Sequence, residues 1–220
     1  MTSPILVPTW IAFFTLGMLT PTAAQTRDMS RQGKLSLGVS IGTSAFSGAA
    51  RGTGDGGEQL LFIPYRPTML GLSIGYGGDA LRLEATAGVG EPGLAVRGAE
   101  LPDVGDESLL LVFENAFRVR AMTGGASTRL WRLRGGPVLR ASVAALVERW
   151  TSPDTPARTV VGGQAGLAME VALTRSLVAR AEGILGFTPA SPFRAEDLPE
   201  GFQQRGTWRR SLGVAVSWRP

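Results

Sequence analysis

The stretch Val161-Gly162-Gly163-Gln164-Ala165-Gly166-Leu167-Ala168-Met169-Glu170-Val171-Ala172-Leu173-Thr174-Arg175-Ser176-Leu177-Val178-Ala179-Arg180-Ala181-Glu182-Gly183-Ile184-Leu185-Gly186-Phe187 decides the fold. Val161, Gly163, Ala165, Leu167, Met169, Val171 and Leu173 alternate with Gly162, Gln164, Gly166, Ala168, Glu170 and Ala172, which is the period of a β-strand. After Thr174-Arg175-Ser176 the alternation resumes, with Leu177, Ala179, Ala181, Gly183, Leu185 and Phe187 on one side and Val178, Arg180, Glu182 and Ile184 on the other. This predicts a hairpin with a very short turn. Facing residues share one side of the sheet, so the register sets Leu173 against Leu177 and Glu170 against Arg180, and opposite charges meet on the polar face.

A soluble barrel that carries a lipophilic ligand would line its inside with the apolar face. Here the polar face mixes Arg and Glu with Gly and Ala, as a narrow lumen would, while the other face is continuous hydrocarbon. That is the arrangement of an outer-membrane barrel.

The 220 residues are 44% hydrophobic, enough for one domain with a core, and include 30 glycines and 14 prolines but no cysteine and no histidine. Folding therefore proceeds without disulfides. Met1 to Ala24 reads as a cleavable signal peptide, with an apolar run from Trp10 to Leu19 and the small residues Thr22-Ala23-Ala24 before the cut. The alternative, an uncleaved anchor, needs ~20 apolar residues, and the run is shorter. Residues 25–33 read as a flexible lead-in and 34–220 as the barrel domain.

Further strands are predicted at Leu35–Gly42, Leu70–Tyr76, Leu81–Val89, Leu109–Ala121, Trp131–Val147 and Leu212–Trp218. Thr43–Pro67, Glu91–Asp106 and Thr188–Gly206 read as long loops, the first mobile and glycine-rich, the second acidic. Thr123–Ser127 reads as a turn. Gly135-Gly136-Pro137 reads as a bulge, since proline cannot donate to a ladder. Leu139, Val143, Leu146, Val147 and Trp150 also fit a helical stripe, a rival to the strand there. The total is about eight strands of near ~10 residues, the length a tilted strand needs to cross a bilayer, with connections that alternate long and short. The prediction is an all-β, eight-stranded antiparallel up-and-down barrel.

This layout resembles the small outer-membrane β-barrels of the OmpA/OmpX type over nearly the whole chain from Lys34 to Trp218. The resemblance implies residence in the outer membrane of a diderm bacterium, delivery by the barrel assembly machinery, contact with outer-membrane lipid such as lipopolysaccharide, and a monomer. The family ends on an aromatic residue that the machinery reads; here Arg219-Pro220 follow Trp218.

The strand parities send Arg82, Glu84, Glu114, Arg118, Arg120, Arg132, Arg134, Arg140, Glu148, Glu170, Arg180 and Glu182 into the lumen. A lumen this narrow is filled by side chains, so these groups should interlock as ion pairs in a structural plug. The excess of Arg over Glu supports an alternative, a narrow pathway favouring anions. Trp208 and Arg210 face outward near the long loops, and with Trp218 form membrane-interface anchors. Two segments, Gly38-Val39-Ser40-Ile41-Gly42 and Gly71-Leu72-Ser73-Ile74-Gly75, match the hydrolase pattern Gly-x-Ser-x-Gly. A nucleophile elbow needs a strand-to-helix turn and a base, usually His, so no catalytic residue, metal site or cofactor is assigned. The basic residues are scattered by alternation, which argues against nucleic acid. The expected role is non-enzymatic, an envelope scaffold or loop-presenting surface protein; a narrow pore and an exported soluble barrel holding an apolar ligand are the alternatives.

Overall fold

The computed structural model describes residues 34–54, 57–98, 109–134, 136–153 and 155–220. The segments read from the sequence as a signal peptide and a lead-in, and residues 99–108 of the second expected loop, lie outside them. Among the described residues, eleven strands form one antiparallel sheet: β1 (Lys34–Thr53), β2 (Gln59–Tyr65), β3 (Thr68–Gly77), β4 (Leu81–Gly90), β5 (Gly93–Gly98), β6 (Leu109–Phe113), β7 (Arg118–Arg132), β8 (Val138–Ser152), β9 (Thr155–Ala172), β10 (Leu177–Thr188) and β11 (Gln203–Trp218). Eight of them, β1, β3, β4, β7, β8, β9, β10 and β11, make a ring that β11 closes on β1, from Leu37 opposite Trp218 to Arg51 opposite Gln203. Closure leaves no open edge on the ring, as a strand set surrounded by lipid requires.

The alternation runs polar inside and apolar outside. Leu72, Val143 and Leu212 are 65%, 65% and 70% exposed, whereas Arg140, Glu170 and Arg82 are 1%, 4% and 6% exposed. A water-soluble barrel would reverse this. Val39, Ile41, Leu70, Ile74, Leu83, Leu167, Met169, Val214 and Val216 continue the same outward belt.

The hairpin β9–β10 has the predicted register, with Glu170 opposite Arg180 and a backbone bond from Leu173 N to Leu177 O. Its turn needs no glycine because the Thr174 hydroxyl accepts from the amides of Ser176 and Leu177.

Three strands break at one level. Arg66-Pro67 separates β2 from β3, Glu91-Pro92 separates β4 from β5, and residues 114–117 separate β6 from β7. Pro67 and Pro92 are fully buried and supply no N–H; their carbonyls instead accept from Ser44 N and Phe117 N. Above the breaks the top of β1 continues with β2, β5 and β6 as a separate run of the sheet. The segment expected to be a mobile loop at Thr43–Pro67 is therefore the upper part of β1, a tip and β2. Glu91–Asp106 likewise contains β5, and Thr188–Gly206 gives way to β11 from Gln203.

The fourth and fifth ring strands require correction. Residues 123–127 lie in the middle of β7, and Gly136-Pro137 lies in the connection of β7 to β8, which has bonds from Leu133 N to Pro137 O and from Gly136 N to Leu133 O. Trp131 and Leu133 end the earlier strand instead of opening the later one. Leu139 to Trp150 is strand, so the helical stripe does not form. The error arose at residues 114–117, where Asn115 adopts φ 51° and the alternation changes phase. Beyond that break Val119 and Ala121 point inward and Arg118 and Arg120 outward, the reverse of the expected parity. The reason is physical: above the membrane the outward face meets water, so the interior becomes the apolar side.

Candidate functional site

The lumen holds the buried chemistry, in layers. Nearest the short turns, Arg82 of β4 donates to Glu170 of β9 at 2.8 Å and to its neighbour Glu84 at 3.3 Å. Arg180 of β10 bonds Glu84 at 2.9 Å and makes an ion pair with Glu182 at 2.9 Å. Arg219, beyond the last strand, reaches back to Glu170 at 3.0 Å. Arg140 is fully enclosed and donates to the Ser127 hydroxyl, the Ser127 carbonyl and the Asp79 carbonyl. Glu170 and Arg180 are thus opposite in register yet bonded elsewhere: Glu170 to Arg82 and Arg219, Arg180 to Glu84 and Glu182.

A small-residue layer follows, around a polar cavity of about 180 Å³ lined by Ser40, Ser73, Thr86, Thr123 and Ser142. Here the two Gly-x-Ser-x-Gly segments receive their explanation. Ser40 lies opposite Gly71 and Ser73 opposite Gly38. A Cβ on Gly71 would come within 2.5 Å of the Ser40 hydroxyl, and one on Gly38 within 2.7 Å of the Ser73 hydroxyl. Each serine fills the space its partner glycine leaves. The pattern is packing between two strands and contains no strand-to-helix turn.

Higher still, Arg209 of β11 bonds Glu148 of β8 at 2.5 Å and Gln164 of β9 at 2.7 Å, while the Trp150 indole donates to Glu148 at 3.1 Å. The outer mouth is then closed by hydrocarbon. Val119, Trp150 and Val160 pack with Phe46, Met69 and Phe117, and above them Ala49, Ala50 and Phe193 with Phe62 and Leu94. Phe46 and Phe117 meet Trp150 edge-on, with centroids 5.8 Å and 6.3 Å apart.

Of the residues assigned to the lumen, Arg82, Glu84, Arg140, Glu148, Glu170, Arg180 and Glu182 are inside it, and Arg132 stands at its short-turn rim against Asp79. Glu114, Arg118, Arg120 and Arg134 are exposed and outside. Glu114 sits in the break before β7, Arg118 pairs with Glu91 at 2.9 Å on the outer surface, and Arg134 belongs to a turn. With those arginines removed, four lumen arginines, Arg82, Arg140, Arg180 and Arg209, face four glutamates, and the basic excess behind an anion pathway shrinks to Arg219. Arg209 and Arg219 were missed, although Arg209 was legible, since Trp208 and Arg210 on either side of it point outward. Trp208, Arg210 and Trp218 are exposed on the outer wall.

No family model matches the chain and no curated protein sequence does. Solved structures do. The outer membrane protein OprG of Pseudomonas aeruginosa superposes with TM-score 0.52 at 11% identity, covering 87% of this chain and 97% of that one. The N-terminal β-barrel domain of Pseudomonas aeruginosa OprF gives 0.45 at 13%, covering 84% and 99%. The outer membrane protease OmpT of Escherichia coli gives 0.41 at 9%, covering 85% and 97%. An eight-stranded antiparallel ring, a charged lumen, an outward apolar belt and a match to OprG along nearly its full length make this chain a small outer-membrane β-barrel in fold.

Proposed function

We propose that the chain is a non-enzymatic outer-membrane protein that holds a rigid β-sheet platform above the cell surface and serves the envelope as a scaffold for contact. One observation carries this reading: the upper part of β1 with β2, β5 and β6 extends the sheet past the level where the ring strands break, and ends on β6, which among the described residues pairs with β5 alone. Leu111 and Phe113 on that strand are half exposed, so the platform offers apolar contact and, among the described residues, a strand edge without a second neighbour. The interior supports the same reading, since among the described residues ion pairs fill the lower lumen and aromatic side chains pack across the upper part.

The polar cavity midway down the lumen favours a second reading, a narrow pore. Both are tested together by inserting an epitope after Gly57, at the β1–β2 tip, and by recording purified protein in planar bilayers. The platform reading expects antibody labelling of intact cells and no conductance steps. Regular steps would replace it with the pore, and membrane retention without surface labelling would place the platform on the wrong side.

A further inference from the structure

We propose that the short-turn rim of the barrel binds the phosphate of an anionic glycerophospholipid in the inner leaflet, through Arg129, Arg132 and Arg134. In the first short turn, Asp79 is shared by three guanidinium groups. Arg129 contacts its carboxylate, Arg132 approaches it to 3.1 Å, and Arg140 bonds its carbonyl at 2.8 Å. Arg140 belongs to the lumen network, so the one carboxylate is left to balance the two rim cations Arg129 and Arg132, and the cluster carries surplus positive charge. Asp79 itself is only 13% exposed and grips the arginines from behind, whereas the Arg129 and Arg132 side chains are 37% and 31% exposed. Each guanidinium has five N–H donors, and Arg129 and Arg132 each spend one nitrogen on Asp79. Arg134, in the next turn, is exposed and has no ionic partner among the described residues.

The surroundings select the ligand. Leu130, Trp131 and Leu133, interleaved with these arginines, point away from the barrel at 56%, 54% and 46% exposure. A soluble polyanion has no use for that hydrocarbon. A phospholipid does: its acyl chains lie along the apolar belt and its phosphate meets the fork of an arginine at the belt's edge. The inference rests on the short turns facing the periplasm, where the inner leaflet is.

The test uses the full-length protein in detergent, with phosphatidylglycerol or phosphatidylcholine added and retained lipid counted by native mass spectrometry. Wild type is expected to retain phosphatidylglycerol preferentially. R132Q/R134Q should weaken that retention about 30-fold, from about fivefold per arginine near a lipid surface, while R120Q/R149Q, an equal charge change on the other rim, should leave it unchanged. Arg134→Gln alone, a turn substitution that leaves the Asp79 cluster intact, should give about a fivefold loss. Equal retention of both lipids, equal loss in the two double variants, or displacement of the lipid by soluble peptidoglycan fragments would each overturn the proposal. A shift between unboiled and boiled gel bands verifies folding of each variant. Failure of lipid binding with surface labelling intact would leave the platform reading standing.

Discussion

Glu148→Gln isolates what the lumen ion pairs contribute. The Glu148 and Arg209 side chains are 4% and 11% exposed, and Glu148 is the only carboxylate bonded to Arg209 among the described residues; Gln164, its other partner, is neutral. The substitution keeps the volume and still accepts from Trp150, but leaves a guanidinium charge enclosed without compensation. Removing one partner of a buried pair costs about 3–5 kcal/mol, a factor of roughly 150 to 5,000 in the folding equilibrium. Arg209→Met should cost a similar amount by stranding Glu148. The double variant removes both charges, so its loss should fall short of the sum by at least about 2 kcal/mol. Urea unfolding in lipid vesicles, followed by the unboiled band, measures all three. Single losses below about 1 kcal/mol that add in the double variant would refute the reasoning, and would mean that the lumen is wet enough to screen its charges.

Leu167→Arg places a charge on the lipid face, where Leu167 is 55% exposed, and should cost about 2–4 kcal/mol in the same assay if the belt is buried in hydrocarbon; a neutral result would say it is not. Gly125→Ala should destabilise by about 1–3 kcal/mol, because its Cβ would run into the Val143 carbonyl oxygen, whereas Gly124→Ala, with nothing within 4 Å, should be neutral in the same unfolding curve. Phe193→Ala should release the third long loop from the mouth and make the Arg194–Ala195 bond cleavable by trypsin on intact cells, a bond that wild type should protect.

What could be read from the sequence depended on whether a strand stays in one medium. β9, β10 and the lower part of β11 run through the bilayer, so Leu167, Met169, Val214 and Val216 alternate with Glu170, Glu182 and Ser217 without a change of phase, and their register followed directly. β7 crosses from water into lipid. Its outward row runs from Arg118 and Arg120 to Met122, and a rule that apolar means outward failed above Met122. Residue 115 carried the warning, an asparagine out of phase, and it marks a positive φ. The ionic partners in the lumen were legible only as a set. Alternation says that Glu170 and Arg180 point inward, but not that Glu170 reaches Arg82 across the barrel and Arg219 from the tail, since that depends on side chains converging from strands far apart in sequence.

The seam between β1 and β11 governs how the molecule can be made. Leu37, near the start of the first strand, waits for Trp218, at the end of the last one. Until they meet, the growing sheet has two raw edges, and neither can rest in hydrocarbon with its amides unpaired. Unaided insertion one strand at a time would leave those edges uncovered in lipid, and the final strand must be synthesised before β1, already paired with β3, can fill its second edge. A folding step with such long-range contacts is slow. Truncation by even a few residues at the seam should accordingly be read out in the yield of barrel rather than in the properties of barrels that do form.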